Sequence, residues 1–253
     1  MNKTLVRQLN HLNQQFYQQV ATSFSESRSY YWQGWNKLVP YLQELAKNNH
    51  NKITVLDIGC GNGRFGSFVA EQLPDIKVKY IGVDNSPELL EIAKQQQPTE
   101  NATTDFIKLD IIESLLAGNL VEKLTSSSPH FITALGVLHH IPSFDLRQQF
   151  IIQLAETLSR PGYLAFTTWN FLDTKRFAKK IVDPIQIDLD SKKLEKHDVI
   201  LDWKRGQTAY RYCHYTDEEE LKTLAKASLL EQVSQFKADS KSGKLNTYTI
   251  LKK

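Results

Sequence analysis

Cysteine is scarce in this sequence, and its scarcity limits the ways in which the fold can be held together. Cys60 and Cys213 are the two cysteines among 253 residues, so the sequence does not encode a disulfide framework. Cys60 has no second cysteine nearby with which to bind a metal ion, and we therefore predict no metal site. A sequence with few cysteines and no disulfide framework is typical of a reducing compartment, so the predicted location is the cytoplasm.

Long apolar runs are missing as well. No segment approaches the roughly 20 apolar residues that a membrane-spanning helix requires, and residues 1–4 do not open a signal peptide. Charge of one sign does not dominate either, since 31 basic and 28 acidic side chains give a net charge of +3. The sequence therefore predicts no membrane partner, and its charge permits a nucleic-acid partner without favouring one.

The sequence does contain enough apolar material for one folded domain. Hydrophobic residues make up 41% of the chain and aromatic residues 10%, as in ordinary globular proteins. A leucine-rich helical period covers residues 3–20, and a second helical pattern follows before residue 50. We interpret 1–253 as a single domain with four parts: an N-terminal helical lid (1–50), a central core (51–170), an inserted lid or substrate loop (171–208), and a C-terminal helix and hairpin (209–253).

Beyond residue 52, short apolar runs alternate with helical periods. The candidate strands are Ile53–Ile58, Val78–Val83, Asp105–Leu109, Phe131–Val137 and Tyr163–Thr168, and the helical patterns lie near 64–73, 87–97, 113–124 and 144–158. Such alternation predicts parallel strands with helices on both faces of the sheet. Leu230–Phe236 and Asn246–Leu251 flank a turn and predict an antiparallel hairpin at the sheet edge. The predicted fold class is α/β, doubly wound, with a mostly parallel seven-stranded sheet and an antiparallel C-terminal hairpin.

The first strand runs into a glycine loop, Leu56-Asp57-Ile58-Gly59-Cys60-Gly61-Asn62-Gly63-Arg64. Glycines at every second position let the backbone turn tightly and approach a ligand, and the helix that follows presents unpaired N–H groups. This combination predicts a nucleotide or anion site at the carboxyl edge of the sheet. The spacing differs from the Gly-x-Gly-x-x-Gly of dinucleotide sites. The Asp57 carboxylate would repel a pyrophosphate, whereas it suits a ligand with an ammonium group.

Later strands end in further polar residues. The second strand ends at Asp84-Asn85, 21 residues beyond Gly63, where a carboxylate can accept both hydroxyls of a ribose. The third ends at Asp110, which is well placed for the exocyclic amine of an adenine. The fourth leads through Leu135-Gly136 to His139-His140. Together with the glycine loop, these strand ends predict one composite site on a single rim of the sheet.

These residues resemble those of the class I S-adenosylmethionine-dependent methyltransferases, over residues 52–170 and the terminal hairpin. The resemblance implies that S-adenosylmethionine is the cofactor and that 51–170 is the cofactor-binding core. It places the methionine part at Asp57 and the glycine loop, the ribose at Asp84 and the adenine amine at Asp110. The cofactor-binding residues predicted in this way are Asp57, Gly59, Gly61, Gly63, Asp84, Asn85, Asp110, Ile111, Leu135 and Gly136. One position departs from the pattern, because His130 precedes the fourth strand where the family often has an acid.

Two flanking segments carry a narrower resemblance. They are Phe24-Ser25-x-Ser27-Arg28-x-x-x-Trp32 and Arg211-Tyr212-Cys213-His214. Both are similar to segments of the tRNA methyltransferases that esterify carboxymethyl groups on wobble uridines. The resemblance implies a tRNA anticodon loop as partner, with a small carboxylate-bearing substrate as the alternative. Because the related eukaryotic enzymes work with a small zinc-binding activator subunit, such a subunit is a further candidate partner.

The chemistry of methyl transfer makes few demands on side chains. A sulfonium methyl group is strongly electrophilic, so the enzyme has mainly to align the nucleophile and exclude water. A carboxylate nucleophile is ionised at neutral pH and needs no base, but it needs a cation to steer it. The candidate cations are Arg28, Arg211 and His214, and the candidates to stack on an unpaired base are Tyr30, Tyr31, Trp32 and Tyr212.

The paired histidines have two interpretations. Either one of the two, His139 or His140, acts as a base or binds the substrate, or the pair only shapes the pocket. The predicted catalytic residues are Arg28, His139, Arg211 and His214.

Two other functions fit the same sequence. A small-molecule O- or N-methyltransferase would share the core and enclose a metabolite under its lid. A non-catalytic cofactor-binding scaffold would keep the fold, although the intact glycine loop and strand-end acids count against it. A tRNA enzyme should instead show a basic track beside the pocket, for which the candidates are Lys175, Arg176, Lys179, Lys180, Lys192, Lys193, Lys204 and Arg205.

Overall fold

The computed structural model describes residues 1–28, 30–96, 99–205 and 207–253. Its helices are α1 Lys3–Glu26, α2 Val39–Asn48, α3 Arg64–Gln72, α4 Pro87–Gln95, α5 Ile111–Ala117, α6 Leu120–Leu124, α7 Phe144–Thr157, α8 Lys175–Ala178 and α9 Glu218–Ala227. Its strands are β1 Lys52–Ile58, β2 Lys77–Asp84, β3 Ala102–Lys108, β4 Phe131–Ala134, β5 Tyr163–Trp169, β6 Ile181–Val182, β7 Asp198–Arg205, β8 Gln207–His214, β9 Glu231–Ala238 and β10 Asn246–Lys252. None of the helices in these ranges has the length and apolar character needed to cross a bilayer.

Seven strands form the main sheet in the order β3-β2-β1-β4-β5-β10-β9. The five strands from β3 to β5 run parallel, and β10 lies antiparallel between β5 and β9. This order confirms the predicted fold class. Because the chain moves outward from β1 in both directions, the carboxyl ends of β1 and β4 flank the crevice where ligands of such sheets bind.

Helices cover both faces of this sheet. One face packs against α5, α6, α7 and α9 through buried residues such as Leu115, Leu154 and Leu224. The other packs against α2, α3 and α4 through Leu42, Phe68 and Leu90. Strands buried on both sides explain the continuous apolar runs of the sequence.

Two predicted elements differ from those observed. The helical pattern near 113–124 is divided into α5 and α6, because Gly118 adopts a left-handed conformation (φ 71°) that ends α5. The fourth strand ends at Ala134, and residues 135–137 form a turn that leads into a short 3₁₀ helix at Leu138–His140. The end predicted at residue 97 for the second core helix lies outside the described residues.

The inserted segment contains more regular structure than its mixed charge suggested. Strands β6, β7 and β8 form a separate antiparallel sheet, in which Asp198 pairs with His214 and Lys204 with Thr208. Helix α1 packs along β8. The predicted boundary at residues 208 and 209 therefore falls inside a β-hairpin, so the inserted and C-terminal segments share one sheet.

Candidate functional site

A cavity of about 550 Å³ opens at the carboxyl ends of β1, β2 and β4. We call it the central cavity; Asp57, Gly61, Asp84, Asp110, Arg28 and Arg211 all line it. Its volume lies in the range of sites for small molecules and cofactors. The structure thus brings together the predicted strand-end acids and two of the three predicted steering cations.

The glycine loop forms one wall of the central cavity. Gly59 has φ 70°, and a Cβ atom there would stand 2.3 Å from Val137 Cγ2, so the loop packs too closely for a side chain. Gly61 has φ 56°, and a Cβ atom there would meet no atom within 4 Å, since it would point into open space. Gly63 does not line the central cavity; it precedes α3 and packs against Ala93 of α4. Backbone is therefore exposed to a ligand at Gly61, whereas Gly63 has a packing role.

Asp57 lies at the base of the loop and is almost fully buried. Its two oxygens accept hydrogen bonds from the hydroxyls of Tyr80 (2.6 Å) and Thr133 (2.7 Å). Burial raises the pKa of Asp57 to about 6, although both hydrogen bonds act in the opposite direction. A cationic group in the cavity would stabilise the ionised carboxylate, which agrees with the ammonium ligand inferred from the sequence.

Asp84 supports the loop from the end of β2. Its carboxylate accepts hydrogen bonds from the backbone N–H groups of Gly61 (2.8 Å) and Ser86 (2.9 Å). Burial raises the pKa of Asp84, and these N–H groups offset part of the effect. Asn85 follows it in the cavity wall. The carboxylate predicted to hold the ribose thus also fixes the conformation of the glycine loop.

Asp110 is held by partners that sequence reasoning missed. One oxygen caps α5 through the N–H of Glu113 (3.0 Å). The other accepts from the side-chain amides of Asn10 (2.9 Å) and Gln14 (2.7 Å) on α1. Ile111 lies beside it in the cavity wall. The only sequence signal was the pair of polar residues, four positions apart, on one side of an amphipathic helix.

The turn after β4 forms the opposite wall. Leu135 and Gly136 both line the cavity, as predicted for the underside of the cofactor. The Gly136 N–H donates to Thr167 Oγ1 (2.8 Å), and the ring of Trp32 lies over Gly136, 3.3 Å from the position of a Cβ atom. Trp32 is therefore part of the cavity wall, and its ring is available to a ligand on the cavity side.

Arg28 brings a positive charge into the cavity without an acidic partner. Its guanidinium carbon lies 3.4 Å from the centre of the Phe24 ring, and Nη1 donates to Ser27 Oγ (3.0 Å). Among the described residues no carboxylate lies within ion-pair distance of it. Burial, together with the nearby cation Arg211, lowers the pKa of Arg28 to about 9. A desolvated guanidinium of this kind favours an anionic ligand.

Arg211 is the second such cation, projecting from β8. Its side chain is 7% exposed and lies between the rings of Phe16 (5.1 Å) and Trp169 (5.0 Å). Its Nε has no hydrogen-bond partner in the part of the chain that the structure describes. An anion bound here would satisfy this group and neutralise the charge.

Arg64 is a third arginine of the cavity and was not predicted from the sequence. It follows the last glycine of the loop, and Nη1 donates to the carbonyl oxygen of Tyr30 (2.5 Å). Its guanidinium packs on the rings of Trp32 (5.3 Å) and Trp35 (4.9 Å). Burial lowers the pKa of Arg64 to about 10. The bond to the Tyr30 carbonyl ties Arg64 to a distant segment of the chain, whereas the carbonyl bond of Arg28, to Phe24, is 3.5 Å long and lies within one helical turn.

The two histidines after β4 are uncharged at neutral pH. Burial lowers the pKa of His139 well below its usual value, and burial together with Arg211 lowers that of His140 to about 3. His140 is hydrogen-bonded at both nitrogens, with Tyr17 Oη at 2.8 Å from Nε2 and the Tyr212 carbonyl at 3.1 Å from Nδ1. His139 lines the cavity beside Trp169, and its buried Nδ1 has no partner among the described residues. A histidine with so low a pKa is a weak base, so His139 is better suited to binding a ligand than to proton removal.

His139, His140 and Cys213 offer potential metal-binding atoms that lie within 4.8 Å of one another. Their surroundings do not favour a cation, because the charges of Arg28 and Arg211 lie close enough to lower the pKa of His139. Burial also raises the pKa of the Cys213 thiol to about 12, whereas a metal ligand must be a thiolate. The absence of a metal stays a prediction, and these surroundings agree with it.

Tyr212 and His214 point away from the central cavity. Successive residues of a strand face opposite sides of the sheet. Strand β8 therefore directs Arg211 into the cavity, and it directs Tyr212 and His214 to the opposite face of the small sheet. The Tyr212 hydroxyl donates to Asp198 (2.7 Å), and the side chain has no exposed surface on which a base could stack. The structure therefore does not support the predicted steering role of His214 or the predicted stacking role of Tyr212.

His214 instead belongs to a buried polar cluster that joins the small sheet to the core. Its Nδ1 lies 2.7 Å from Asp198 Oδ1 and its Nε2 lies 2.7 Å from Glu220 Oε2. Arg147 of α7 donates to Glu220 (2.6 Å) and to Glu195 (3.2 Å). The N-terminal amino group lies 3.7 Å from Glu195. The cluster consists of Asp198, Glu195, Glu220, Arg147, His214, Tyr212 and the terminal amino group.

Residues 26–235 match a protein family described as a methyltransferase domain. The chain is also similar to the mouse tRNA (carboxymethyluridine(34)-5-O)-methyltransferase ALKBH8, at 24% identity over 61% of this chain. It spans only 19% of the length of that relative. A carboxy-S-adenosyl-L-methionine synthase of Campylobacter jejuni (strain 81-176) is 23% identical over 80% of this chain and 83% of its own.

Solved structures share the architecture at low sequence identity. The magnesium protoporphyrin IX methyltransferase ChlM of Synechocystis PCC 6803, with bound SAH, superimposes with a TM-score of 0.61. The alignment covers 96% of this chain and 99% of that one at 15% identity. A likeness at this identity establishes the fold.

Proposed function

Because this chain belongs to the family of methyltransferase domains, we propose that it transfers the methyl group of S-adenosylmethionine to a carboxylate of its acceptor. Membership of the family confirms the predicted class I methyltransferase and its cofactor. The proposal goes beyond the family in taking a carboxylate as the methyl acceptor and Arg28 and Arg211 as the residues that bind it. A non-catalytic scaffold has no support from the cavity, whose glycine loop and strand-end acids are intact.

The residues of the central cavity fit the cofactor. Gly61 leaves room for a ligand at the backbone, since the space beside its Cα is open. Asp57 would hold the ammonium group of the methionine part, Asp84 with Asn85 the ribose, and Asp110 the adenine amine. When bound, S-adenosylmethionine supplies a methyl group whose transfer to a carboxylate oxygen breaks the S–CH₃ bond, leaves the electron pair on sulfur and releases no proton.

The observation that carries the proposal is the pair of unneutralised arginines. Arg28 and Arg211 line the same cavity as Gly61, and no described carboxylate pairs with either. Aromatic rings on both guanidiniums keep water away while leaving their N–H edges for an anion. A carboxylate held there is already ionised, so the weakly basic His139 is not needed as a proton acceptor.

The first acceptor to test is the carboxymethyl group of a tRNA wobble uridine. The name of the mouse relative describes this reaction, and the segments around Arg28 and Arg211 resemble those of such enzymes. A small carboxylate-bearing molecule would meet the same arginines and is the alternative acceptor. A small activator subunit and a cytoplasmic location stay predictions.

A second candidate function follows from relatives that align with this chain over most of its length and most of their own. The carboxy-S-adenosyl-L-methionine synthase of Campylobacter jejuni aligns over 80% of this chain. Arg28 and Arg211 would then hold a carboxylate carried by the sulfonium compound itself. Mass spectrometry of the sulfonium compound that co-purifies with the protein separates the two functions, because carboxylation changes its mass.

Steady-state kinetics of arginine variants test the proposal. Arg28→Gln and Arg211→Gln should each raise the KM for the carboxylate acceptor by about 10- to 150-fold, since a hydrogen bond to a charged group contributes about 1.5–3 kcal/mol. Affinity for S-adenosylhomocysteine should be unchanged, which also shows that the variants fold. Arg160→Gln, at an exposed arginine outside the cavity, is the matched control. An unchanged KM in both cavity variants would refute the carboxylate assignment.

A further inference from the structure

A dense group of positive charges stands at the rim of the central cavity. Helix α8 and the two residues after it contain Lys175, Arg176, Lys179 and Lys180, which we call the rim cluster. Arg176 and Lys180 line the cavity, whereas Lys175 and Lys179 are exposed outside its lining. The positive charge therefore continues from the cavity onto the neighbouring surface.

Nearby acids do not pair with three of the four members of the rim cluster, namely Lys175, Arg176 and Lys179. In the described ranges, no carboxylate oxygen lies within 4.0 Å of the charged nitrogens of Lys175, Arg176 or Lys179. Two other lysines of the inserted segment are paired, Lys193 with Asp190 (3.8 Å) and Lys204 with Asp202 (2.7 Å). These three members of the rim cluster thus keep their charge for a partner, while the side chain of Arg205, another residue of the predicted basic track, lies outside the described residues.

An exposed aromatic ring lies at the same cavity. Tyr30 is 66% exposed and lines the central cavity, and its backbone is held by the bond from Arg64 to its carbonyl oxygen. Tyr31, its neighbour, uses its hydroxyl on Glu71 (2.6 Å) and does not line the cavity. An exposed aromatic ring at the same cavity as a group of cations is the combination that binds single-stranded nucleic acid.

We propose that the rim cluster binds the phosphodiester backbone of a nucleic acid strand whose acceptor nucleotide enters the central cavity, with Tyr30 stacking on a base. The inference rests on the proposed function, because it assumes that the acceptor carboxylate reaches Arg28 and Arg211. A small molecule would end within the cavity, whereas Lys175 and Lys179 lie beyond it. Only an acceptor with anionic groups outside the cavity can use them.

Salt-dependent binding of a fluorescein-labelled anticodon stem–loop RNA tests the proposal. Each phosphate contact of a single strand contributes about 0.7 to the slope of log affinity against log salt. The double variant Lys175→Ala/Lys179→Ala should therefore lower that slope by about 1.4. If the two proteins bind equally at about 1 M salt, the variant binds about 25-fold more weakly at about 0.1 M. Lys222→Ala/Lys226→Ala removes the same charge from α9 and should leave the slope unchanged.

The outcomes separate this proposal from the proposed function. Methyl transfer to a free carboxymethyl nucleoside should be the same in wild-type protein and the Lys175/Lys179 variant. An unchanged RNA slope in that variant would refute the rim cluster as a phosphate site, even if methyl transfer is intact. Loss of binding to phosphatidylserine vesicles rather than to RNA would also refute it, and would assign the cluster and the exposed Ile185 to a membrane surface. Failure of methyl transfer with normal RNA binding would refute only the proposed function.

Discussion

Replacing His214 by glutamine should destabilise the protein and loosen the wall that carries Arg211. Both imidazole nitrogens lie 2.7 Å from a carboxylate oxygen, one of Asp198 and the other of Glu220. A neutral imidazole has a single N–H. In that state the lone pair of the other ring nitrogen would point at a lone pair of a carboxylate oxygen, which is repulsive. The geometry therefore requires a charged imidazolium that donates to both acids.

The side-chain charges of the buried polar cluster favour the same protonation state. Three carboxylates, those of Glu195, Asp198 and Glu220, pair with the side chains of Arg147 and His214. With His214 neutral, Arg147 would be the one cationic side chain of the cluster against these carboxylates, so a positive charge on His214 is favoured. Removing one partner of a buried ion pair typically costs about 3–5 kcal/mol. For a chain of this size that corresponds to a fall in Tm of about 6–20 °C.

The stabilisation by His214 should depend on pH with a definite sign. Burial alone would lower the pKa of His214, but the hydrogen bonds to Asp198 and Glu220 outweigh it and the pKa is raised above 6.5. The stabilisation is therefore complete below the unfolded pKa of about 6.5 and is lost as the pH rises through the higher folded value. Glu220 acts in the opposite sense, because its pKa is lowered from 4.5 and its contribution is lost under more acidic conditions.

Thermal unfolding across a pH series measures this effect directly. The difference in stability between wild type and His214→Gln should be largest between about pH 5 and 6.5 and should shrink above that range. His11→Gln changes an exposed histidine and is the matched control. A difference that is independent of pH, or that grows as the pH rises, would refute the charged bridge. So would equal Tm values for the wild type and the His214 variant at about pH 6.

Two further predictions concern the wall of the central cavity. Asp84→Ala should weaken binding of S-adenosylmethionine by about 10- to 150-fold in calorimetry, because it removes a charged acceptor and the support of Gly61; unchanged affinity would remove the ribose assignment. Gly59→Ala should lower the free energy of unfolding by about 2–4 kcal/mol through its contact with Val137. Gly61→Ala should lower the free energy of unfolding by only about 1 kcal/mol, but its methyl group would project into the cavity and weaken cofactor binding. An equal loss of stability in the Gly59 and Gly61 variants would contradict the geometry of the loop.

The grouping of the glycine loop and the strand-end acids at one cavity could be predicted because its signals are local. Each strand-end acid follows an apolar run directly, and the glycine loop joins a strand to a helix within nine residues. Parallel strands then bring Asp57 and Asp84 to the same edge, as the register of Asp57 with Gly82 shows. The arrangement of the acids follows from the order of the elements alone.

Contacts between distant segments could not be predicted in this way. The amides of Asn10 and Gln14 reach Asp110 across about a hundred residues of sequence, and their spacing in α1 does not show which distant residue they contact. His214 shows a different limitation. Treated as one motif, Arg211 and His214 share a predicted role, whereas the alternation of β8 separates them onto opposite faces. Once residues 207–214 are assigned to a strand, that alternation alone is enough to separate the two side chains.

The most direct test of the account is mass spectrometry of tRNA nucleosides after tRNA has been incubated with the protein and S-adenosylmethionine bearing a deuterated methyl group. Transfer to a carboxylate predicts a labelled methyl ester on carboxymethyluridine, which mild alkali removes as labelled methanol. The Arg211→Gln variant should form the ester far more slowly at the same tRNA concentration. A labelled methyl group that resists alkali, or label found only on groups other than carboxylates, would contradict the account.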